Sequence, residues 1–336
     1  MTQTANADTL TPAQLSSYLA RIGFKSASND ASAALPTLET LERVQHLQLH
    51  SIPYENLSLH WRMPEAIGGA ACSLAPADLV EKMCLGGTRG GYCLELNGLL
   101  ARALRALGFQ VTVCTAAVVY DAAVESNSNT QRSEAENEDA EDDLSSALEA
   151  QAWPTHTLLL VSSTAMEDSY LVDIGLAKYS LTEPILIQDK ALGAGIMGKQ
   201  FRLRLATNPS DADPTWILQI KTPSDPSVPW KSYYRFSATA ADPAAVDQIN
   251  TWMSRAPESL TPQVPFATML IAGIGQVSIM GTEVEIRKGP SDVERWKIAD
   301  VDEELEREMK QWFGVAGFRD GGVVRVRVRE TPAPAW

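Results

Sequence analysis

The sequence predicts an α+β protein with helices and strands segregated along the chain. Apolar residues recur at helical spacing through the first hundred residues, whereas short β-branched runs dominate from Gln110 onward. Helical spacing then returns on either side of a predicted hairpin near Gly281. With 336 residues, 45% of them hydrophobic, the chain can bury a large core and exceeds a typical single domain. Three units are expected: 1–109, mainly helical; 110–237, mainly strands; and 238–336, mixed.

Thr11-Pro12 supplies an N-cap and a first-turn proline, Leu15, Tyr18, Leu19 and Ile22 form the buried stripe, and Gly23 stops the helix. Leu38, Leu41, Val44 and Leu47 predict a second helix, and residues from Pro76 to Met83 a short third. A fourth begins at Cys93, where Leu94, Leu96, Leu99, Leu100, Ala103, Leu104 and Leu107 form the stripe and Gly108 the C-cap. Gln110 to Tyr120 then reads as a strand. Residues 123–150 hold nine acidic residues against Arg132 alone, which is -8 of the net -14, and contain no aromatic residue. Such a segment cannot offset its ordering entropy, so an acidic, disordered insertion is expected there. Further strands are expected at Ile185–Gln188, Phe201–Ala206, Trp216–Lys221 and Trp230–Ser237, a helix at Asp242–Arg255, a hairpin at Gly275–Ile286 and a helix at Asp302–Phe313.

The net charge of -14, with no basic stripe to offset it, argues against a nucleic-acid partner. No apolar run approaches the ~18 residues of a membrane span, and no apolar segment follows Met1, so neither a membrane partner nor a signal peptide is expected. Four cysteines, Cys72, Cys84, Cys93 and Cys114, are few for this length and read as reduced thiols of a cytoplasmic protein. His46 and His50 fall four apart on one helical face, but no third ligand accompanies them, so no metal is expected.

Chemistry points to Arg89-Gly90-Gly91-Tyr92-Cys93. A cysteine at a helix start meets unpaired N–H groups and a partial positive charge, both of which favour thiolate. Two preceding glycines allow the close backbone approach that nucleophile positions need. A thiol nucleophile requires a base, and the base an orienting acid. His156 opens the buried-strand pattern His-Thr-Leu-Leu-Leu-Val, and Asp173 interrupts the next apolar run, Tyr170 to Ile174. A buried carboxylate demands a partner. Joined by the short polar segment around Glu167-Asp168, the two strands would be antiparallel neighbours and His156 would reach Asp173. Arg89 and Asn97, the latter one helical turn after Cys93, are candidates to support the site by hydrogen bonds.

These blocks, with those from Tyr18 to Ile22, Leu38 to Leu41, His50 to Leu57, Trp153 to Val161, Leu171 to Gly175, Tyr234 to Ser237 and Pro262 to Phe266, resemble the arylamine N-acetyltransferases over most of the chain. The resemblance implies a Cys93–His156–Asp173 triad, an N-terminal helical bundle, a central β-barrel over 110–237 carrying the insertion, and a C-terminal α/β lid. It implies acetyl-coenzyme A or another acyl-coenzyme A as co-substrate, no metal, and an arylamine, arylhydroxylamine or hydrazine as acceptor. It places Gly175, Leu176 and Phe266 in the substrate pocket. One departure concerns that pocket: Ile174-Gly175-Leu176-Ala177 stands where the family more often has Gly-Phe-Gly, which opens donor and acceptor preference. Fungal members of the family favour malonyl-coenzyme A, and the long acidic insertion fits a eukaryotic microbial source. A malonyl- or propionyl-coenzyme A donor is therefore the alternative to acetyl. A transglutaminase- or peptidase-like cysteine enzyme is a more remote one, disfavoured because the residues around Cys93 match no peptidase motif. A non-catalytic binding protein is disfavoured because all three triad positions are intact. The alternating Val324-Arg325-Val326-Arg327-Val328-Arg329 predicts a strand with three arginines on one face, either solvated or contacting coenzyme A phosphates.

Overall fold

A computed structural model describes residues 8–25, 35–60, 72–85, 89–119, 144–149, 152–206, 214–221, 229–256, 258–259, 261–289, 292–299 and 303–315. Helix α1 (Pro12–Arg21) begins as its sequence dictates: Gln14 N donates to Thr11 Oγ1 at 3.3 Å, Thr11 N to Gln14 Oε1 at 2.9 Å, and Gly23 takes a φ of 69°. Helix α2 (Leu38–Ser51) leads into strand β1 (Tyr54–Glu55). Helix α3 (Pro76–Val80) continues as a π-helical turn, Glu81–Leu85, and α4 (Cys93–Ala106) follows. Tyr18, Leu41, Leu79, Leu99 and Leu100 are wholly buried between these helices. Each such side chain contributes about 1.5–3 kcal/mol relative to exposure, so this core is the platform on which the start of α4 rests.

Strand β2 (Gln110–Val118) is followed by helix α5 (Leu144–Glu149), then β3 (His156–Ser162), β4 (Tyr170–Val172), β5 (Ile185–Leu186), β6 (Leu192–Ala194), β7 (Gln200–Ala206), β8 (Thr215–Lys221) and β9 (Lys231–Ser237). They form one antiparallel eight-stranded sheet in the order β5-β4-β3-β2-β9-β8-β7-β6. The sheet curls until its edges approach: Thr182 N donates to Ala194 O at 2.9 Å. A Cβ on Gly193 would lie 2.3 Å from Ile185 Cγ1, so only glycine lets β6 come this near β5. Phe201, Leu203, Leu218, Tyr234 and Leu158 fill the interior. Of the acidic stretch expected to be disordered over 123–150, residues 123–143 and 150 lie outside the described residues. Its last part is helix α5, whose Ala147 is buried against Ala206 and Ile217 and whose Leu148 carbonyl accepts from Arg235 Nη1 at 2.5 Å. Two aliphatic contacts and a charge-assisted bond thus order the end of a stretch that composition alone reads as solvated.

Helix α6 (Pro243–Arg255) leads to β10 (Phe266–Ile271), β11 (Gly275–Met280), β12 (Glu283–Arg287), β13 (Val293–Lys297) and α7 (Glu303–Phe313). The second sheet has the order β1-β10-β11-β12-β13. Its core of Val277, Ile279, Val284 and Ile286 packs on Leu305, Met309 and Phe313 of α7. The pairing of β1 with β10 brings a strand from the first hundred residues into the C-terminal sheet, across the boundaries expected at 109 and 237. The Arg325, Arg327 and Arg329 strand lies outside the described residues. No described helix is long and apolar enough to cross a membrane.

Candidate active site

Cys93 is the first residue of α4, at a position whose N–H has no partner within a helix. The chain reaches it through contacts that exclude larger residues. A Cβ on Gly90 would meet Pro53 O at 1.8 Å, and Gly91 N donates to that same carbonyl at 3.3 Å. Buried carboxylates hold both sides of this turn. Glu55 Oε1 accepts from Gly90 N at 3.1 Å and from Arg89 Nε at 3.0 Å, while its Oε2 accepts from Leu57 N at 2.6 Å. Glu95 Oε2 accepts from Tyr92 N at 3.2 Å, and its Oε1 takes Lys82 Nζ at 2.7 Å. The π-helical turn brings Lys82 between the two carboxylates, 3.9 Å from Glu55. Burial opposes ionisation of Glu55, but Arg89 and Lys82 outweigh it and hold its carboxyl down at about 2. For Glu95 burial wins, and its carboxyl is raised despite Lys82.

The base comes from the strands. β3 and β4 pair antiparallel with Leu159 opposite Val172, and continuing that register puts His156 and Asp173 diagonally on one face. His156 Nε2 lies 2.7 Å from Asp173 Oδ2, both side chains buried. The other ring nitrogen makes no bond to Asp173, and the Cys93 side chain lies near enough to favour the protonated ring. Burial lowers the His156 pKa, but the Asp173 carboxylate and then Cys93 overcome it and raise it to about 10. These influences favour the imidazolium form of His156 beside Cys93.

Asn97 ties the helix to both strands. Its Nδ2 donates to Asp173 Oδ1 at 3.0 Å and to Thr157 O at 2.6 Å, and its Oδ1 accepts from Ile174 N at 3.2 Å. Gly175 N also donates to Asp173 Oδ1, at 2.9 Å. Gly175 itself packs on Cys93: a Cβ there would lie 2.9 Å from both Cα and Cβ of that residue. Cys93, His156, Gly175, Leu176 and Phe266 line one cavity of about 240 Å³. The structure thus brings together the three triad candidates, Asn97 and all three pocket candidates. Arg89 instead lies one layer away, bonded to Glu55 and to Ser58 Oγ at 2.8 Å.

Three groups at the site were not legible beforehand. Tyr234 stacks at a tilt 5.7 Å from the His156 ring, with its buried hydroxyl near the Asp173 carboxylate. Burial, then the Asp173 charge, push its ionisation well above the usual tyrosine range. Asn56 shapes the cavity wall: its Nδ2 donates to Thr261 O and Val264 O, both at 2.8 Å, and its Oδ1 accepts from Phe266 N at 2.7 Å. The Tyr54-Glu55-Asn56 corner was the available signal. Lys178, adjoining the pocket candidates in sequence, also lines the cavity. His46 and His50 stack 4.1 Å apart, and among the described residues no cluster of three His, Cys, Asp or Glu side chains could hold a metal.

An N-acetyltransferase family model matches residues 37–133 and 145–317. An arylamine N-acetyltransferase of Mycobacterium tuberculosis is 25% identical over 322 residues, 94% of this chain and 95% of its own. An N-malonyltransferase of Gibberella moniliformis is 26% identical over 255 residues, 74% of this chain and 66% of its own. The solved Mycobacterium marinum arylamine N-acetyltransferase in complex with CoA superposes with a TM-score of 0.67 at 22% identity, covering 90% of this chain and 92% of its own.

Proposed function

Since the chain belongs to the arylamine N-acetyltransferase family, we propose that it moves an acyl group from acyl-coenzyme A to an arylamine through a Cys93 thioester. The observation that carries this reading is the buried His156–Asp173 pair beside Cys93, with Cys93 and His156 lining one cavity. In the first half-reaction the Cys93 thiolate attacks the thioester carbonyl, a C–S bond forms, and coenzyme A leaves with the proton from the His156 imidazolium. The leaving thiolate is comparable in stability to the attacking one, so the step needs no further energy source. In the second half-reaction the amine nitrogen attacks the acyl-enzyme, its proton passes to His156, and the Cys93 thiolate returns. Asp173 keeps the imidazole oriented and compensates its charge throughout. Backbone N–H groups at the start of α4 stabilise the developing oxyanion. Arylhydroxylamines and hydrazines carry the same nucleophilic nitrogen and are accepted as arylamines are.

Acetyl-coenzyme A is the reference donor, with propionyl- and malonyl-coenzyme A admitted where Leu176 replaces a planar ring. All four cysteines are free, which fits a reducing compartment such as the cytoplasm. The test is coenzyme A release from acetyl-coenzyme A with and without an aniline, together with intact-protein mass. Amine-dependent release and one acetyl group added to Cys93 in its absence are expected. Release that is independent of amine, with no acyl adduct, would refute the ping-pong route.

A further inference from the structure

We propose that Asn250 is a positioning residue for Cys93: from helix α6 it holds the Tyr92 hydroxyl and so fixes the turn that presents the sulfur; the inference rests on the acyl-transfer function above. Tyr92 is the N-cap of α4, directly before Cys93. Serine, threonine, aspartate or asparagine usually fills such a position, because a short side chain can turn back to the first helical N–H groups. A tyrosine carries its hydroxyl at the far end of a rigid ring and is a poor local cap. Its backbone N–H is taken by Glu95 Oε2 at 3.2 Å, and its hydroxyl is anchored by a residue 158 positions along the chain. A residue that breaks the local capping rule beside the nucleophile thus has a tertiary reason for being there.

Tyr92 is wholly buried, and its hydroxyl donates to Asn250 Oδ1. Asn250 Nδ2 in turn donates to Cys72 O at 2.7 Å. Ser254, one turn further along α6, donates from Oγ to Asn250 O at 2.7 Å and lies 3.3 Å from the Tyr92 hydroxyl. Burial pushes the ionisation of Tyr92 well above the usual tyrosine range, which keeps the donated proton in place. Asn250 and Ser254 are buried as well, so these bonds cannot be exchanged for water and each fixes a direction. The same helix also touches the reaction space. Ile249 shares a buried cluster with Tyr92, Cys93 and Leu94, and Met253 lines the cavity with Cys93. Gly175 leaves Cys93 little room, since an added Cβ would sit 2.9 Å from its Cα. A small shift of the turn therefore changes the line from the sulfur to His156, and misplacement by about 1 Å costs about 10²-fold in rate. Tyr92 and Asn250 add no atom to the reaction: Cys93 still forms the C–S bond and His156 still carries the proton.

The decisive experiment quenches single turnovers of the full chain with acetyl-coenzyme A and reads Cys93 acetylation by intact-protein mass. It yields a rate constant and an amplitude, the latter reporting the folded fraction. Tyr92→Phe and Asn250→Leu should each lower the saturated rate constant by about tenfold, with the half-saturating donor concentration within about twofold of wild type. The double variant should be no slower than the slower single by more than about twofold, since both changes remove the same bond. A loss below about threefold, with only the amplitude or the thermal midpoint reduced, shows a purely structural tie and overturns the proposal. Losses that multiply in the double variant overturn it too. If Asn250→Leu does not fold, Tyr92→Phe decides, because it keeps the ring and removes a single oxygen. If no acyl-coenzyme A acylates wild-type Cys93, the function above fails instead. The rate of Cys93 alkylation by iodoacetamide, which needs no acyl donor, then decides this inference: a fall of about threefold or more in Tyr92→Phe supports it, and a smaller change overturns it.

Discussion

Replacing Glu55 by Gln should destabilise the protein by about 3 kcal/mol at pH 7, for reasons the structure makes explicit. Glu55 is wholly buried and its carboxylate accepts from Leu57 N, Gly90 N and Arg89, with Lys82 beyond. A folded pKa of about 2 against 4.5 corresponds to about 3 kcal/mol of preference for the charged form. Removing one member of a buried pair costs a similar ~3–5 kcal/mol, because the orphaned guanidinium stays desolvated. The sign follows from the depressed pKa: this stabilisation is present above pH 4.5 and is lost as pH falls towards about 2. Urea unfolding of wild type, Glu55→Gln, Arg89→Met and the double variant would measure it. The double variant should be less destabilised than the sum of the singles, since no charge is then left unpaired. A Glu55→Gln cost below about 1 kcal/mol, or strict additivity, would refute the argument that these charges depend on each other.

Cys93→Ala should remove acyl transfer by orders of magnitude while preserving the unfolding midpoint; retention of more than about a tenth of turnover would sink the covalent route. Iodoacetamide should alkylate Cys93 before Cys72, Cys84 and Cys114, whose thiols burial pushes up to about 12, 11 and 12, as peptide mapping would show. Asn97→Ala strands Thr157 O and Ile174 N, and a stability loss of about 2–4 kcal/mol is expected in urea, with lowered kcat from a loosened Asp173. Leu176→Phe should move the propionyl-to-acetyl ratio of kcat/KM towards acetyl, and an unchanged ratio would remove this side chain from donor choice.

The signals legible in the sequence were local ones. A glycine pair before an apolar helix identified the start of α4, and Gly23 and Gly108 marked helix ends that the structure gives φ of 69° and 91°. The runs from His156 and Tyr170 read as strands because residues within one element determine its period, and the short link between them fixed antiparallel pairing. That is why His156 and Asp173 could be paired on paper. Contacts between distant segments carry no such period. Tyr54–Glu55 is too short to announce itself as a strand, and its partner lies more than two hundred residues later at Ala267–Thr268. Nothing in the sequence singles out Glu55 and Glu95; only folding surrounds them with Arg89, Lys82 and backbone amides. Ala177 takes a φ of 50°, a left-handed conformation that no sequence rule assigns to alanine, and the next residue, Lys178, joins the cavity wall. Composition likewise read Leu144–Glu149 as solvated, since its cover of Ala206, Ile217 and Arg235 comes from strands far along the chain. Sequence alone therefore determined the longer elements and the candidate nucleophile's place on one of them. Tertiary structure decided which charges are buried and which side chains share the cavity, because desolvation and packing depend on neighbours that the chain brings together only on folding.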